Sequence, residues 1–213
     1  MSELHVIFGT GPLGKWTGRE LIKMGKRVRL INRSGKTDRL PEGAEIVAGD
    51  AYDINKNIEL TKGAAVIYQC AQPLYYEWAE KFPRFQSAIM QAAETNKSKF
   101  IVADNLYMYG DMHGEPIHED SPYQAHTKKG KVRGEMANTV MEAHRSGKIR
   151  AAIGRASNFF GPDDHAVTDI AIRPALLGKS INLLGRLDQP HTFSYAPDFG
   201  KLLATLGTRE DAL

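Results

Sequence analysis

A doubly wound α/β fold on a parallel sheet is what this sequence predicts, from two observations. Short apolar runs rich in Val, Ile and Ala alternate with longer amphipathic stretches, and strand and helix taking turns implies right-handed crossovers between parallel strands. A glycine-rich turn, "GTGPLG" at 9–14, also leads from the first run into the first amphipathic stretch.

The strand candidates are "LHVIF" (4–8), "RVRLI" (27–31), "EIVA" (45–48), "AAVIYQC" (64–70), "KFIVAD" (99–104) and "IRAAIGRAS" (149–157), with the composition of buried parallel strands. After the first of them, "PLGKWTGRELIKMG" sets Leu13, Thr17, Leu21 and Met24 near one helical face and stops at Gly25. Residues 82–96 repeat that spacing with Phe85, Ile89 and Ala92 or Ala93, and residues 127–147 with Val132, Met136, Val140 and Ala143. There is no internal repeat, low-complexity tract or linker. The pattern breaks after Phe160 at "GPDDH", which sets a soft boundary between 1–160 and 161–213. Beyond it the sequence predicts a helix in 166–179, short strands around "INLL" (181–184) and "HTFSY" (191–195), and a helix over 197–206.

The 213 residues are 42% hydrophobic, enough for one sizeable core. Basic and acidic residues number 28 and 25 and are scattered, so no basic stripe for nucleic acid or an anionic membrane is present. Cys70 is the only cysteine, which rules out an internal disulfide and suits a reducing compartment. The N-terminal apolar segment is too short for a signal-peptide core and no stretch has the length of a membrane span. The expectation is a cytoplasmic protein.

Gly9, Gly11 and Gly14 spell G-x-G-x-x-G between the first strand and the first helix. Gly9 permits the tight turn, Gly11 leaves bare backbone for a pyrophosphate, and Gly14 lets helix and strand pack closely. The pyrophosphate then sits on free N–H groups at the positive end of the helix. At the end of the second strand, where an NAD site offers a carboxylate to the ribose, the chain reads Asn32-Arg33-Ser34. Arg33 can pair with a 2′-phosphate, and Asn32 and Ser34 can donate to it. That favours NADP(H), with NAD(H) as the other nicotinamide cofactor; a solvated arginine in an already basic region is the competing reading. Asp50 either meets the adenine amino group or caps the helix that Asp53 begins.

Later segments give a more specific likeness. "ADNLYMYG" (103–110), "PIHEDSPYQAHTKKGKVRGE" (116–135) and "GRASNFFGP" (154–162) resemble, in turn, the fifth-strand segment, the catalytic Tyr-x-x-x-Lys region and the R-x-x-N-x-Y-G-P segment of extended or atypical short-chain dehydrogenase/reductases of the NAD-dependent epimerase/dehydratase type. The likeness runs from about residue 4 to about residue 207. It implies a Rossmann-type nucleotide-binding domain over 1–160 and a partial substrate-binding portion over 161–213. It also implies cofactor contacts from Thr10, Pro12 and Leu13 in the glycine turn, Ala51, Cys70, Ala71 and Ala156. Counting from Gly110 places the family's catalytic Ser or Thr at Asn105. Counting from Glu135 places its lysine at Lys131, which would hold the nicotinamide ribose, and its tyrosine at Thr127. A threonine hydroxyl is too weak an acid to replace a tyrosine in proton transfer, whereas Asn105 can still polarise a carbonyl.

Tyr123 is the substitute acid or else an aromatic lid; Tyr107 and Tyr109 are further candidates. Gln72, Tyr75 and Asn158 are expected at the substrate, with Tyr76 and Trp78 divided between pocket and core. Cys70 reads as a small apolar residue at a strand end. His113, His118 and His126, with the acids nearby, match no metal-ligand spacing. Two functions stay open: an NADP-dependent oxidoreductase or epimerase-like enzyme acting on a small-molecule carbonyl or alcohol, and a non-catalytic NADP(H) sensor. Relatives of this type pair two helices across a two-fold axis, which implies a homodimer through 82–97 and 127–145 with Met90, Ala93, Val140 and Met141 at the contact.

Overall fold

The computed structural model describes residues 2–181, 183, 188 and 190–213. Six parallel strands form the main sheet: β1 (Leu4–Phe8), β2 (Arg27–Asn32), β3 (Glu45–Ala48), β4 (Ala64–Gln69), β5 (Lys99–Asp104) and β6 (Arg150–Arg155), in the order β3-β2-β1-β4-β5-β6. The helices are α1 (Pro12–Lys23), α2 (Ile54–Leu60), α3 (Trp78–Asn96), α4 (Lys128–Arg145), α5 (Arg173–Leu176) and α6 (Ala196–Thr208). A small parallel pair, β7 (Asn158–Phe160) with β8 (Phe193–Tyr195), stands apart from the main sheet.

Side chains alternate across the pleat and feed two cores. Phe8, Ile67, Phe100 and Val102 pack with Phe82, Phe85 and Ile89 of α3 and Met136 and Val140 of α4. On the other face Ile7, Leu30, Tyr68 and Ile101 pack with Leu21 of α1 and Phe199 and Leu203 of α6. The last helix therefore shares its layer with the first. Gly200 lies against Trp16, where a Cβ would come within 2.6 Å, and Gly207 against the Tyr68 hydroxyl, where it would come within 1.9 Å. The segment after β7 is tied down as well: Arg19 and Arg39 reach Asp163 at 3.2 and 3.1 Å, and Trp16 donates to the Pro162 carbonyl.

All six expected strands of the main sheet are present. Helix α3 begins at Trp78, four residues before the expected start, and carries Pro83 inside it. The helix expected over 166–179 is a π-helical turn, Thr168–Ile172, running into the four residues of α5. Asn182 and Leu184 of the strand expected at 181–184 lie outside the described residues. Among the residues expected at a dimer contact, Ala93 and Val140 have no exposed surface. Both are consumed by the protomer's own core, which leaves only the half-buried Met90 and Met141 of that set. No helix among the described residues is long and apolar enough to cross a membrane.

Candidate active site

The sheet order reverses between β1 and β4, and at a switch point of this kind the two connections leave in opposite directions and open a crevice at the strands' C-terminal ends. A cavity of about 630 Å³ occupies it. Its wall includes Gly9, Thr10, Gly11, Pro12, Leu13, Asn32, Arg33, Asp50, Ala51, Cys70, Ala71, Gln72 and Asn105, so most of the expected cofactor contacts converge on one space.

The glycine turn fits a dinucleotide. Gly9 has φ +121°, and a Cβ there would lie 2.9 Å from the Cys70–Ala71 backbone. Gly14 would bring a Cβ within 2.1 Å of the Gly9 carbonyl oxygen, while Gly11 has nothing within 4 Å of its own. The first and third glycines thus close the turn on itself, and the second leaves open space above it. Gly11 is also the N-cap of α1 and supplies no side-chain hydrogen bond, so the first-turn N–H groups remain for a ligand oxygen.

At the end of β2 the three polar residues have different fates. The Asn32 amide donates to the Thr10 hydroxyl (2.9 Å) and to the Lys36 carbonyl (2.8 Å), and its oxygen accepts from the Gly35 N–H (2.7 Å). Ser34 is turned into the same loop, onto Asn32 and the Lys36 carbonyl, and is not in the cavity wall. Arg33 is exposed on the rim with no hydrogen bond or ion pair among the described residues. Asp50 does not cap α2, since Asp53 accepts from the Lys56 N–H there. Asp50 lines the cavity and accepts from the Tyr52 N–H at 3.0 Å. Cys70 also lines the cavity, and burial pushes its thiol up to about 12, so it is no thiolate nucleophile near neutral pH.

The far end of the cavity holds Asp104, Asn105 and Arg133. Arg133 donates to Asp104 Oδ1 from Nε (2.8 Å) and from Nη2, and both side chains are 3% exposed. The Asn105 N–H also donates to Oδ1 (2.7 Å), and Arg155 Nε lies 4.0 Å from Oδ2. Asn105 accepts from the Tyr107 N–H through its side-chain oxygen (3.1 Å), which leaves its –NH₂ for a ligand.

The residues counted onto the Tyr-x-x-x-Lys motif are not at this cavity. Lys131 is exposed and makes no side-chain hydrogen bond or ion pair among the described residues. Thr127 is the N-cap of α4, its hydroxyl accepting from the Gly130 N–H at 3.1 Å. The basic pair of α4 spaced i, i+4 like the motif lies two positions along, with Arg133 buried at this cavity and Lys129 half-buried at a second one. Tyr123 hydrogen-bonds Arg155, which also donates to Tyr109 (3.0 Å), and burial raises the Tyr123 phenol against the pull of Arg155. Gly14 and Ala156, also expected at the cofactor, are not in the cavity wall, Ala156 being buried in the core with Ile7 and Phe199, and Asn158 pairs with His191 (3.1 Å).

Tyr75 and Thr127 line a second cavity of about 640 Å³, with Tyr107, His126, Lys128 and Lys129. There the Lys129 ammonium sits 3.9 Å from the centre of the Tyr75 ring, and Tyr75 donates to Tyr107 at 3.5 Å. Burial, then that hydrogen bond, pushes the Tyr107 phenol to about 12. Sequence reasoning missed Asp104, Lys129 and Arg133. The signal that could have found them is the i, i+4 basic pair Lys129/Arg133 on α4, together with an acid closing a buried strand.

No curated protein sequence matches the chain. Solved structures of similar fold include a UDP-N-acetylglucosamine 4-epimerase from Methanobrevibacter ruminantium M1 in complex with UDP-N-acetylmuramic acid, with TM-score 0.84 and 20% identity over 99% of this chain and 74% of that one. A UDP-glucose 4-epimerase from Thermotoga maritima, with UDP-glucose, gives 0.82 and 16% over 94% and 72%. A dTDP-glucose 4,6-dehydratase from Streptomyces venezuelae, with NAD bound, gives 0.79 and 16% over 95% and 71%. The family model for the NAD dependent epimerase/dehydratase family matches residues 6–212, and with the glycine turn and switch-point crevice in place, the chain belongs to that family.

Proposed function

We propose that the chain binds NADP(H) in the glycine cradle and acts as an oxidoreductase or epimerase-like enzyme on a carbonyl or alcohol of a small organic or sugar-derived substrate. The observation that carries this reading is one continuous cavity with Gly11 and Arg33, which has no ion pair among the described residues, at one end and Asp104, Asn105 and Arg133 at the other. When bound, a nicotinamide dinucleotide supplies hydride chemistry. The chain's own part is to hold its pyrophosphate on the α1 N-terminus and its 2′-phosphate against Arg33, and to set the reacting oxygen among hydrogen-bond donors.

Asn105 can donate its amide N–H to a substrate carbonyl, whereas Tyr123 is committed to Arg155 and does not line the cavity. Tyr123→Phe should therefore leave turnover nearly unchanged. The similar folds that act on sugar nucleotides make those compounds one arm of the test. NADPH absorbance is followed across aldehydes, ketones and nucleotide-sugars. Oxidation with at least one compound class is expected, while tight NADPH binding with no turnover of any class contradicts the enzymatic half of the reading.

A further inference from the structure

Four non-glycine residues among those described have positive φ, and two of them, Arg39 (+51°) and Asp163 (+68°), are the partners of one ion pair. Such backbone is uncommon outside glycine and persists where surrounding contacts hold it, often around ligands. Asp163 is the second central residue of a turn, which the Asp164 N–H closes on the Gly161 carbonyl at 3.2 Å. With positive φ at that position, glycine or asparagine already meets the needs of the backbone. An aspartate adds a charge, and here both oxygens are used. Oδ2 accepts from Arg19 of α1 (3.2 Å) and Oδ1 from Arg39 (3.1 Å), and the side chain is 8% exposed.

The residues that meet at Asp163 belong to three walls of the dinucleotide cavity. Phe159 and Asp164, on either side of it in the chain, line that cavity. Helix α1 starts at the glycine cradle, and Arg39 lies in the β2–β3 loop that begins with Arg33. The loop is fastened at its start, where the Asn32 amide donates to the Thr10 hydroxyl at 2.9 Å, and Asn32 and Ser34 knit it as far as Lys36. Further along it has two fastenings to the rest of the chain. One is Lys15 to Asp38 (3.2 Å), but Asp38 is 84% exposed, and an ion pair that open to water and salt is weak. The other is Arg39 to the nearly buried Asp163.

We infer that Asp163 is a positioning residue of the cofactor site: through Arg39 it holds the loop that presents Arg33 to the 2′-phosphate. The inference rests on the NADP(H) reading above. Charge alone predicts the opposite sign. A neutral residue in place of Asp163 removes an anion and frees the Arg39 guanidinium, and both changes favour a phosphate nearby. Positioning predicts a loss, because a loosened loop has to be ordered, along with the Arg33 side chain, when the cofactor binds.

The test is a fluorescence titration of the full chain and of Asp163→Asn, Arg39→Gln and Arg19→Gln with NADPH and with NADH. Asparagine suits the positive φ at position 163, and the Arg39 side chain is 72% exposed, so the melting temperature should stay close to that of the unaltered protein in both of those variants. NADPH affinity should fall about 2- to 30-fold in Asp163→Asn and in Arg39→Gln, with NADH affinity nearly unchanged. The double variant should lose no more than Asp163→Asn alone. Arg19→Gln leaves the loop tie in place and should keep the preference for NADPH. Unchanged or tighter NADPH binding in Asp163→Asn and Arg39→Gln overturns the inference. So does an equal loss of both cofactors in Asp163→Asn and Arg19→Gln, the signature of a turn that only supports the fold. Failure of the cofactor reading looks different: the unaltered protein then shows no preference for NADPH, and the inference falls with it. A preference intact in the unaltered protein and in both loop variants removes Asp163 alone.

Discussion

Gly11 and Gly14 sit three residues apart in one motif and answer to different forces. A side chain at Gly11 meets nothing in the protein, since nothing lies within 4 Å of its Cβ position, whereas one at Gly14 runs into the Gly9 carbonyl at 2.1 Å. Gly11→Leu should therefore leave the thermal melting temperature almost unchanged and abolish NADPH binding in a fluorescence titration, because the new side chain fills the pyrophosphate's place. His5 makes a separate prediction. It has no exposed surface and its Nδ1 lies 2.9 Å from the Tyr68 hydroxyl; burial, reinforced by Lys26 against the pull of Glu3, lowers its pKa to about 4 from an ordinary 6.5. Between those values the unfolded chain binds the proton and the folded chain does not. The stability is thus complete above about pH 6.5 and is lost as the pH falls towards 4. Urea unfolding at pH 7 and pH 5 should show about 2 kcal/mol more loss in the unaltered protein than in His5→Gln.

At the scale of elements, α4 shows where sequence reading reaches its limit. The 3.6-residue period gave the helix and its buried stripe correctly, with Val132, Met136 and Val140 all in the core. It did not tell which polar residues on the stripe's edge turn to the cavity. The family spacing counted from Glu135 falls on Thr127 and Lys131, whereas tertiary packing buries Arg133 at the first cavity and sets Lys129 at the second. Asp104 was hidden for a similar reason: an acid at a strand end becomes informative only once a partner 29 residues away is placed beside it. Thr127 is legible as a cap in retrospect. Thr127→Ala should lower stability by about 1 kcal/mol in chemical denaturation and leave NADPH affinity untouched. Helix α6 offers the sharper packing test. Gly207→Ala drives a methyl group into the Tyr68 hydroxyl, and the repacking should cost about 1–3 kcal/mol, measured by the same denaturation.

For the whole molecule, the order β3-β2-β1-β4-β5-β6 puts the crevice where the glycine motif said a dinucleotide belongs, because strand alternation and the G-x-G-x-x-G turn are local signals that the global fold obeys. Long-range closure was not legible. Nothing local to residues 196–208 tells that this helix packs beside α1, or that Asp163 is clamped by Arg19 and Arg39 from elsewhere in the chain. The charge at the crevice rim lies between these cases. The sequence reading put Arg33, Asn32 and Ser34 together at a 2′-phosphate; Asn32 and Ser34 are instead bound into their own loop, and Arg33 alone of the three has no hydrogen bond or ion pair among the described residues. The proposed preference for NADP(H) then rests on one guanidinium. The most direct measurement is a parallel titration of the unaltered protein and Arg33→Ala with NADPH and NADH. A charged hydrogen bond of about 1.5–3 kcal/mol predicts NADPH binding roughly 10- to 100-fold tighter than NADH, with most of that difference erased in Arg33→Ala. Equal affinities of the unaltered protein for the two cofactors would contradict the account.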